Sequence, residues 1–263
     1  MSVTSLGLAT RFQAFHKDPL AAVLIVLGKR QAAKNLGLQR LLKLISLKHE
    51  IWQELIAEFK ANETLHTHLE KTLQGENFGQ ISGPLAEALY GLCRALTPDV
   101  VIETGVAAGV SSAIILQALA DNNKGKLLSI DKPNYDAVTF PKIGILGPAP
   151  TIIPVERRSG WAVPSYLRSR WTLRLGLSLE LLPEVLREVG ELDIFFHDSE
   201  HTYNNMIWEF KQAWGTLRPG GIIVSHDISW NDAFFDFCKS VKKRKALMHQ
   251  QYFLDLGIVK KGT

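Results

Sequence analysis

The chain has 263 residues, 46% of them hydrophobic and 21% charged, with 20 Gly and 11 Pro. This is globular composition, and it excludes a disordered, collagenous or disulfide-scaffold protein. The net charge is +4, but residues 1–48 hold eight Lys/Arg against the single acid Asp18, which leaves the rest of the chain at −3 and excludes a uniformly basic nucleic-acid binder.

Residues 1–97 read as helical. Leu38, Leu41, Leu42, Ile45, Trp52, Leu55, Ile56 and Phe59 recur at three- and four-residue steps, the signature of one helix face. Such a stripe is expected to pack on its own domain or on a second copy, which favours a homo-oligomer built through the N-terminal helices. The basic charge keeps contact with a membrane surface as the less favoured alternative. The longest clean apolar run, Leu20 to Leu27, has eight residues, well short of the roughly 20 that a membrane span needs. It does not begin the chain, and Lys29 and Arg30 follow it, so no secretory leader is expected. Cys93 and Cys238 are too few for a disulfide framework and fit small core residues in a reducing compartment, so a cytoplasmic protein is expected. Pro84 sits where a helix can start, and Pro98 stops the helix through Leu85–Leu96.

From residue 99 apolar, β-rich runs alternate with helical segments. The expected strands are Val100–Glu103, Lys126–Asp131, Trp171–Leu175, Leu192–His197 and Gly221–His226, followed by Leu247–Phe253 and Leu256–Lys260. The expected helices between them are Val110–Ala120, Leu181–Val189, Thr202–Leu217 and Ala233–Val241. This alternation predicts an α/β fold with a doubly wound, mostly parallel, seven-stranded Rossmann-like sheet. A helical N-terminal extension, 1–84, precedes the sheet domain, 85–263. Ligands bind such sheets beyond the carboxyl ends of the strands, near the point where strand order reverses. The Pro-rich stretch 132–163 reads as part of a lid or substrate wall.

The first strand runs into Glu103-Thr104-Gly105-Val106-Ala107-Ala108-Gly109-Val110-Ser111-Ser112. Gly105 and Gly109 flank a tight turn into a helix. Ala107 stands where the dinucleotide fingerprint G-x-G-x-x-G has its second glycine, so a pyrophosphate has less backbone to lie against. The second strand ends at Asp131, 28 positions after Glu103, placed to accept hydrogen bonds from two ribose hydroxyls. A glycine turn with this acid implies an adenosine-containing ligand, and S-adenosylmethionine fits better than NAD. The fourth strand ends in His197-Asp198-Ser199-Glu200-His201 and the fifth in Ser225-His226-Asp227. Asp198, His226 and Asp227 are competent to hold a divalent cation, Mg²⁺ being the simplest choice and Mn²⁺ or Fe²⁺ alternatives that the imidazole admits. His201 is the preferred general base; its alternative, shared with Tyr203, is to cap and pack the next helix. His197 faces the other side of the strand and reads as structural.

Five blocks in order resemble the class I S-adenosylmethionine-dependent methyltransferases, within the macrocin-type and catechol-type O-methyltransferase branch. They are ETGVAAGVSS at 103–112, LLSIDKP at 127–133, GWAVPSYLRSRWTLRLG at 160–176, FFHDSEHTYNNMIWEF at 195–210 and LRPGGIIVSHDI at 217–228. The resemblance covers about residues 85–240. It implies that Glu103, Gly105 and Gly109 surround the methionine part of the cofactor, that Ser111 adjoins it, and that Asp131 holds the ribose. Where the family often has Gly-Asp-Ser after the third strand, this chain has Gly176-Leu177-Ser178, leaving Ser178 as the candidate adenine contact. The family's second metal-binding pair, Asp-Asn, appears here as His226-Asp227. The expected activity is O-methylation of a small hydroxylated metabolite, with a sugar or glycosylated compound as one acceptor class. A non-catalytic or regulatory protein on the same fold, or a metal-dependent hydroxylase-like relative, is the alternative. Trp208, Trp214, Phe234, Phe235 and Phe237 read as core, Trp161 and Trp230 as either site-lining or packing residues, and Lys242-Lys243-Arg244-Lys245 as a solvated helix end.

Overall fold

A computed structural model describes residues 17–76, 80–132, 157–250 and 253–262. Residues 133–156, which hold most of the expected lid, lie outside the described residues. Helices α1 (Pro19–Val26), α2 (Arg30–Ile45), α3 (His49–Lys60), α4 (Glu63–Leu73) and α5 (Gly83–Leu96) come first. They are followed by β1 (Val100–Thr104), α6 (Val110–Asp121), β2 (Lys126–Asp131), a 3₁₀ turn (Ser165–Arg170) and β3 (Trp171–Leu175). The chain continues as α7 (Ser178–Val189), β4 (Leu192–His197), α8 (Tyr203–Thr216), β5 (Leu217–His226), α9 (Ala233–Ser240), β6 (Lys245–Gln250) and β7 (Phe253–Lys260).

The strands form one seven-stranded sheet in the order β3-β2-β1-β4-β5-β7-β6. β1 to β5 are parallel, whereas β7 runs antiparallel to both β5 and β6. Strand order reverses between β1 and β4, which places the ligand crevice at their carboxyl ends. Central strands covered on both faces need apolar residues without alternation. Every residue of β4 is accordingly buried, and Val101, Ile102, Leu127, Ile194 and Phe195 are fully or almost fully so.

The N-terminal apolar stripe is used within the chain. Leu41, Leu42, Ile45, Trp52, Ile56 and Phe59 join one buried cluster with Leu89, Leu116, Val101 and Ile258 of the sheet domain. Tyr90 on α5 ties the layers together, its hydroxyl lying between Glu58 of α3 at 2.8 Å and Asp121 of α6 at 2.6 Å, with one proton to donate between them. The stripe is carried by two helices rather than one, because Ser46 adopts a left-handed conformation (φ 58°) that ends α2. Among the described residues, α1 turns an apolar side outward, with Leu20, Val23 and Val26 exposed together with the cap residue Leu27. No helix among the described residues is long and apolar enough to cross a membrane. β5 begins four residues earlier than its sequence pattern suggests, at Leu217, and the last two strands are Lys245–Gln250 and Phe253–Lys260.

Candidate active site

The turn after β1 is shaped by its neighbours. Gly105 has φ 85°, and a Cβ there would lie 2.1 Å from the carbonyl oxygen of Asp198. The place of a side chain at Gly105 is therefore taken by the backbone just after β4, held there by Asp198 N donating to Thr104 O at 2.8 Å. Gly109, with φ 91°, caps α6, and a Cβ there would lie 2.7 Å from Gly160 Cα. The segment from residue 157 lies directly on the turn, with Gly160 N donating to Ala107 O and Ala162 N to Ala108 O. Ala107 itself takes a left-handed φ of 46°, a conformation that costs a non-glycine residue roughly 1–2 kcal/mol.

Glu103 and Ser111 meet each other. The fully buried Glu103 carboxyl accepts from Ser111 Oγ at 2.6 Å, Ser112 Oγ at 2.5 Å and Ser129 Oγ at 2.7 Å. Burial pushes this carboxyl up from 4.5 to about 7 against the opposing effect of its hydroxyl donors. A raised carboxyl pKa means that the folded state binds the proton more tightly than the unfolded chain. Its contribution to stability is full below pH 4.5 and is lost as pH rises to about 7. Glu103→Gln should flatten the pH dependence of unfolding free energy in that window by on the order of 3 kcal/mol. Denaturant titrations at several pH values measure this, and parallel curves for the two proteins would refute it.

Asp131 is nearly buried at the end of β2. It accepts from Val106 N at 3.1 Å and from the hydroxyl of Ser159 in a short hydrogen bond. Ser178 opens α7 but bonds to Glu209. Gly176 N donates to Asp131 O at 2.9 Å, which sets Leu177, 37% exposed, beside the β2 end.

The ends of β4 and β5 converge. His226 Nδ1 donates to Asp198 Oδ1 at 2.9 Å, and His201 Nε2 lies 3.7 Å from the same oxygen. Asp227 completes the rim, its Oδ2 4.0 Å from His201 Nε2 and its Oδ1 3.8 Å from His226 Nε2. Asp198, His201 and His226 each offer one ligand atom, all within 4.8 Å of one another. His201 thus joins the cluster expected of Asp198, His226 and Asp227. Burial first, and His197 beside it, push its imidazole down to about 3. The ring is neutral and a weak base, and its buried Nε2 has no hydrogen-bond partner among the described residues. Trp230, 65% exposed, leans against the His201 ring with centroids 5.3 Å apart.

Residues 102–228 match the model of a methyltransferase domain family. Over these residues the chain is similar to a methyltransferase domain. No curated protein sequence matches it significantly. Among solved structures, the methyltransferase is similar to a Staphylococcus aureus protein assigned as a caffeoyl-CoA O-methyltransferase (14% identity, 80% of this chain and 99% of the other, TM-score 0.57). It is also similar to the O-methyltransferase TomG of Streptomyces achromogenes, which is involved in tomaymycin synthesis and was crystallised with S-adenosylmethionine (16% identity, 82% and 100%, TM-score 0.55). A Podospora anserina methyltransferase bound to S-adenosylhomocysteine is a third (16% identity, 82% and 97%, TM-score 0.51). At these identities the likenesses show the fold. Residues 102–228 match this family, and the sheet has the fold of class I, S-adenosylmethionine-dependent methyltransferases.

Sequence reasoning missed two residues that shape the methyltransferase's site. Ser159 caps the ribose-binding candidate Asp131 from 28 positions away, and no spacing announces such a contact. Glu209, fully buried on α8, accepts from Thr104 Oγ1 at 2.6 Å, His197 Nδ1 at 2.8 Å and Ser199 Oγ at 2.8 Å. An acid in an otherwise apolar helical stripe, seven residues after the cap Thr202 that follows a histidine-rich strand end, was the available signal.

Proposed function

We propose that this methyltransferase transfers a methyl group to a hydroxyl of a small metabolite, sugars and glycosylated compounds included, at a site that also holds a divalent cation. The observation that carries this reading is the meeting of Asp198, His201 and His226 at the carboxyl ends of β4 and β5, beside the strand-order reversal, with the buried His201 Nε2 aimed at two carboxylates. Two imidazoles and a carboxylate, with Asp227 at the rim, are a fitting donor set for Mg²⁺, Mn²⁺ or Fe²⁺. When bound, S-adenosylmethionine supplies an electrophilic methyl group, and a divalent cation lowers the pKa of the acceptor hydroxyl.

The chain's own groups do the positioning. Asp131 receives the ribose hydroxyls, sharing its oxygens with Val106 N and Ser159. The turn 105–109 lies where the methionine portion belongs, its acid Glu103 and Ser111 acting from beneath as a buried brace. Leu177 offers adenine an apolar wall where relatives carry an acid, and Ser178 supports α7 through Glu209. Asp198, His201 and His226 orient the acceptor oxygen, and the exposed face of Trp230 shields it from water. We further read 1–84 as a helical cover over the sheet domain 85–263. An assembly of two copies would use the outward side of α1, which sedimentation velocity of a Val23→Lys variant tests by the loss of the larger species.

The cofactor half is tested by calorimetry. Asp131→Ala should weaken S-adenosylmethionine binding by about 1.5–3 kcal/mol for each charge-assisted hydrogen bond lost. Unchanged affinity would remove Asp131 from the ribose site.

A further inference from the structure

We propose a second ligand site, for a phosphoryl group of two or more negative charges, in a cleft at the end of the sheet opposite the methyl-transfer site. The cleft has a volume of about 390 Å³ and is lined by Leu44, Ser46, Lys243, Arg244, Lys260, Lys261 and Gly262. β7 runs against β5, so that Lys260 pairs with Ile222 whereas Leu256 pairs with His226 at the active-site end. The four residues from Ile222 to His226 put about 13 Å of strand between the two sites. Phosphate carried by an acceptor bound at Asp198 is therefore not what fills this cleft.

The sequence run Lys242–Lys245 alone reads as a solvated helix end. The structure adds cations from a different strand. Lys243 and Arg244 lead into β6, Lys260 ends β7, and Lys261 follows it. Among the described residues no carboxylate side chain lines the cleft. Lys261 is anchored, its Nζ donating to Trp214 O at 2.8 Å and Leu217 O at 2.6 Å. Lys243, Arg244 and Lys260 have no ion pair or side-chain hydrogen bond among the described residues. Some cations elsewhere on this surface are paired, as in Arg174 with Glu184, Lys239 with Asp236 and Lys124 with Asp99. Unpaired like charges held across a concavity repel one another and focus a positive field into it. A multivalent anion relieves that repulsion. A guanidinium fork with two or three ammonium groups is the donor set that suits phosphoryl oxygens. Ser46, exposed and left-handed at the end of α2, adds a hydroxyl at the rim.

The test uses the full chain and inorganic pyrophosphate at fixed ionic strength. Calorimetry should show saturable binding of one pyrophosphate per chain. The triple variant Lys243→Gln/Arg244→Gln/Lys260→Gln should weaken it at least about tenfold through lost charge-assisted contacts. The control Lys29→Gln/Lys71→Gln/Lys211→Gln, which removes three charges elsewhere, should leave it unchanged. Two sources share this chemistry, and vesicles containing a phosphoinositide separate them. Vesicle binding that the triple variant loses assigns the cleft to a lipid headgroup, and pyrophosphate binding without vesicle binding assigns it to a soluble phosphate. Absence of saturable pyrophosphate binding, or equal weakening in both triple variants, would overturn the proposal.

Discussion

Replacing Glu209 by alanine is expected to destabilise the protein by about 3–5 kcal/mol, because it leaves a buried histidine and several hydroxyls without their shared acceptor. The carboxylate sits at 0% exposure. Burial alone would raise its pKa, yet His197 and its hydroxyl donors hold it below the ordinary carboxylate range. A lowered pKa contributes stability above the unfolded value of 4.5 that is lost as pH falls through the folded one. One residue on α8 thereby joins the ends of β1 and β4, through Thr104, His197 and Ser199, to the start of α7 through Ser178. At about 2–4 °C per kcal/mol for a chain of this size, the melting temperature should drop by on the order of 10 °C. Glu209→Gln keeps the shape and one acceptor oxygen and should recover part of the loss. Scanning calorimetry measures both variants. Glu209→Ala melting with the parent protein would show that the network adds nothing net.

What could be read in the sequence follows the range of the contacts involved. β1, β2, β3 and β4 are legible because each is an apolar run closed by polar turn residues, a local signal. The site's position is legible for the same reason, since Asp131, Asp198 and Asp227 fall at or just beyond strand ends. The break at Ser46 is not legible: a left-handed serine looks like any helical serine in a sequence. A second constraint on Gly105 is not legible, because only the register of β4 against β1 shows that Asp198 O lies beside it. Glu209 and Ser159 lie 105 and 28 positions from the groups they bind, Thr104 and Asp131, and periodicity carries no information at such separations. His201 was read as a proton acceptor from its ordinary titration range, whereas the fold buries it between His197, Trp230 and the two carboxylates.

Asp198→Ala is expected to lower turnover by a factor on the order of 10²–10⁴ while leaving S-adenosylmethionine affinity near that of the parent protein. The separation of the two effects comes from the backbone. Asp198 is fixed by its own N–H on Thr104 O and by the packing of its carbonyl against Gly105, and truncating the side chain disturbs neither. The candidate ribose and methionine contacts lie after β1 and β2, on Asp131 and the turn 105–109. What the substitution removes is the one oxygen that His226 Nδ1 meets at 2.9 Å and His201 Nε2 faces at 3.7 Å. Without it two imidazoles stand in the cluster with only Asp227 at the rim, and the acceptor hydroxyl loses the group that orients it. Asp198→Asn keeps the size and one oxygen but not the charge, so its rate distinguishes an electrostatic role from a positional one. Single-turnover methyl transfer, with and without chelator, together with cofactor titrations, measures the result. Full turnover in Asp198→Ala would remove this cluster from the chemistry, and parallel loss of cofactor affinity would move Asp198 to the cofactor site.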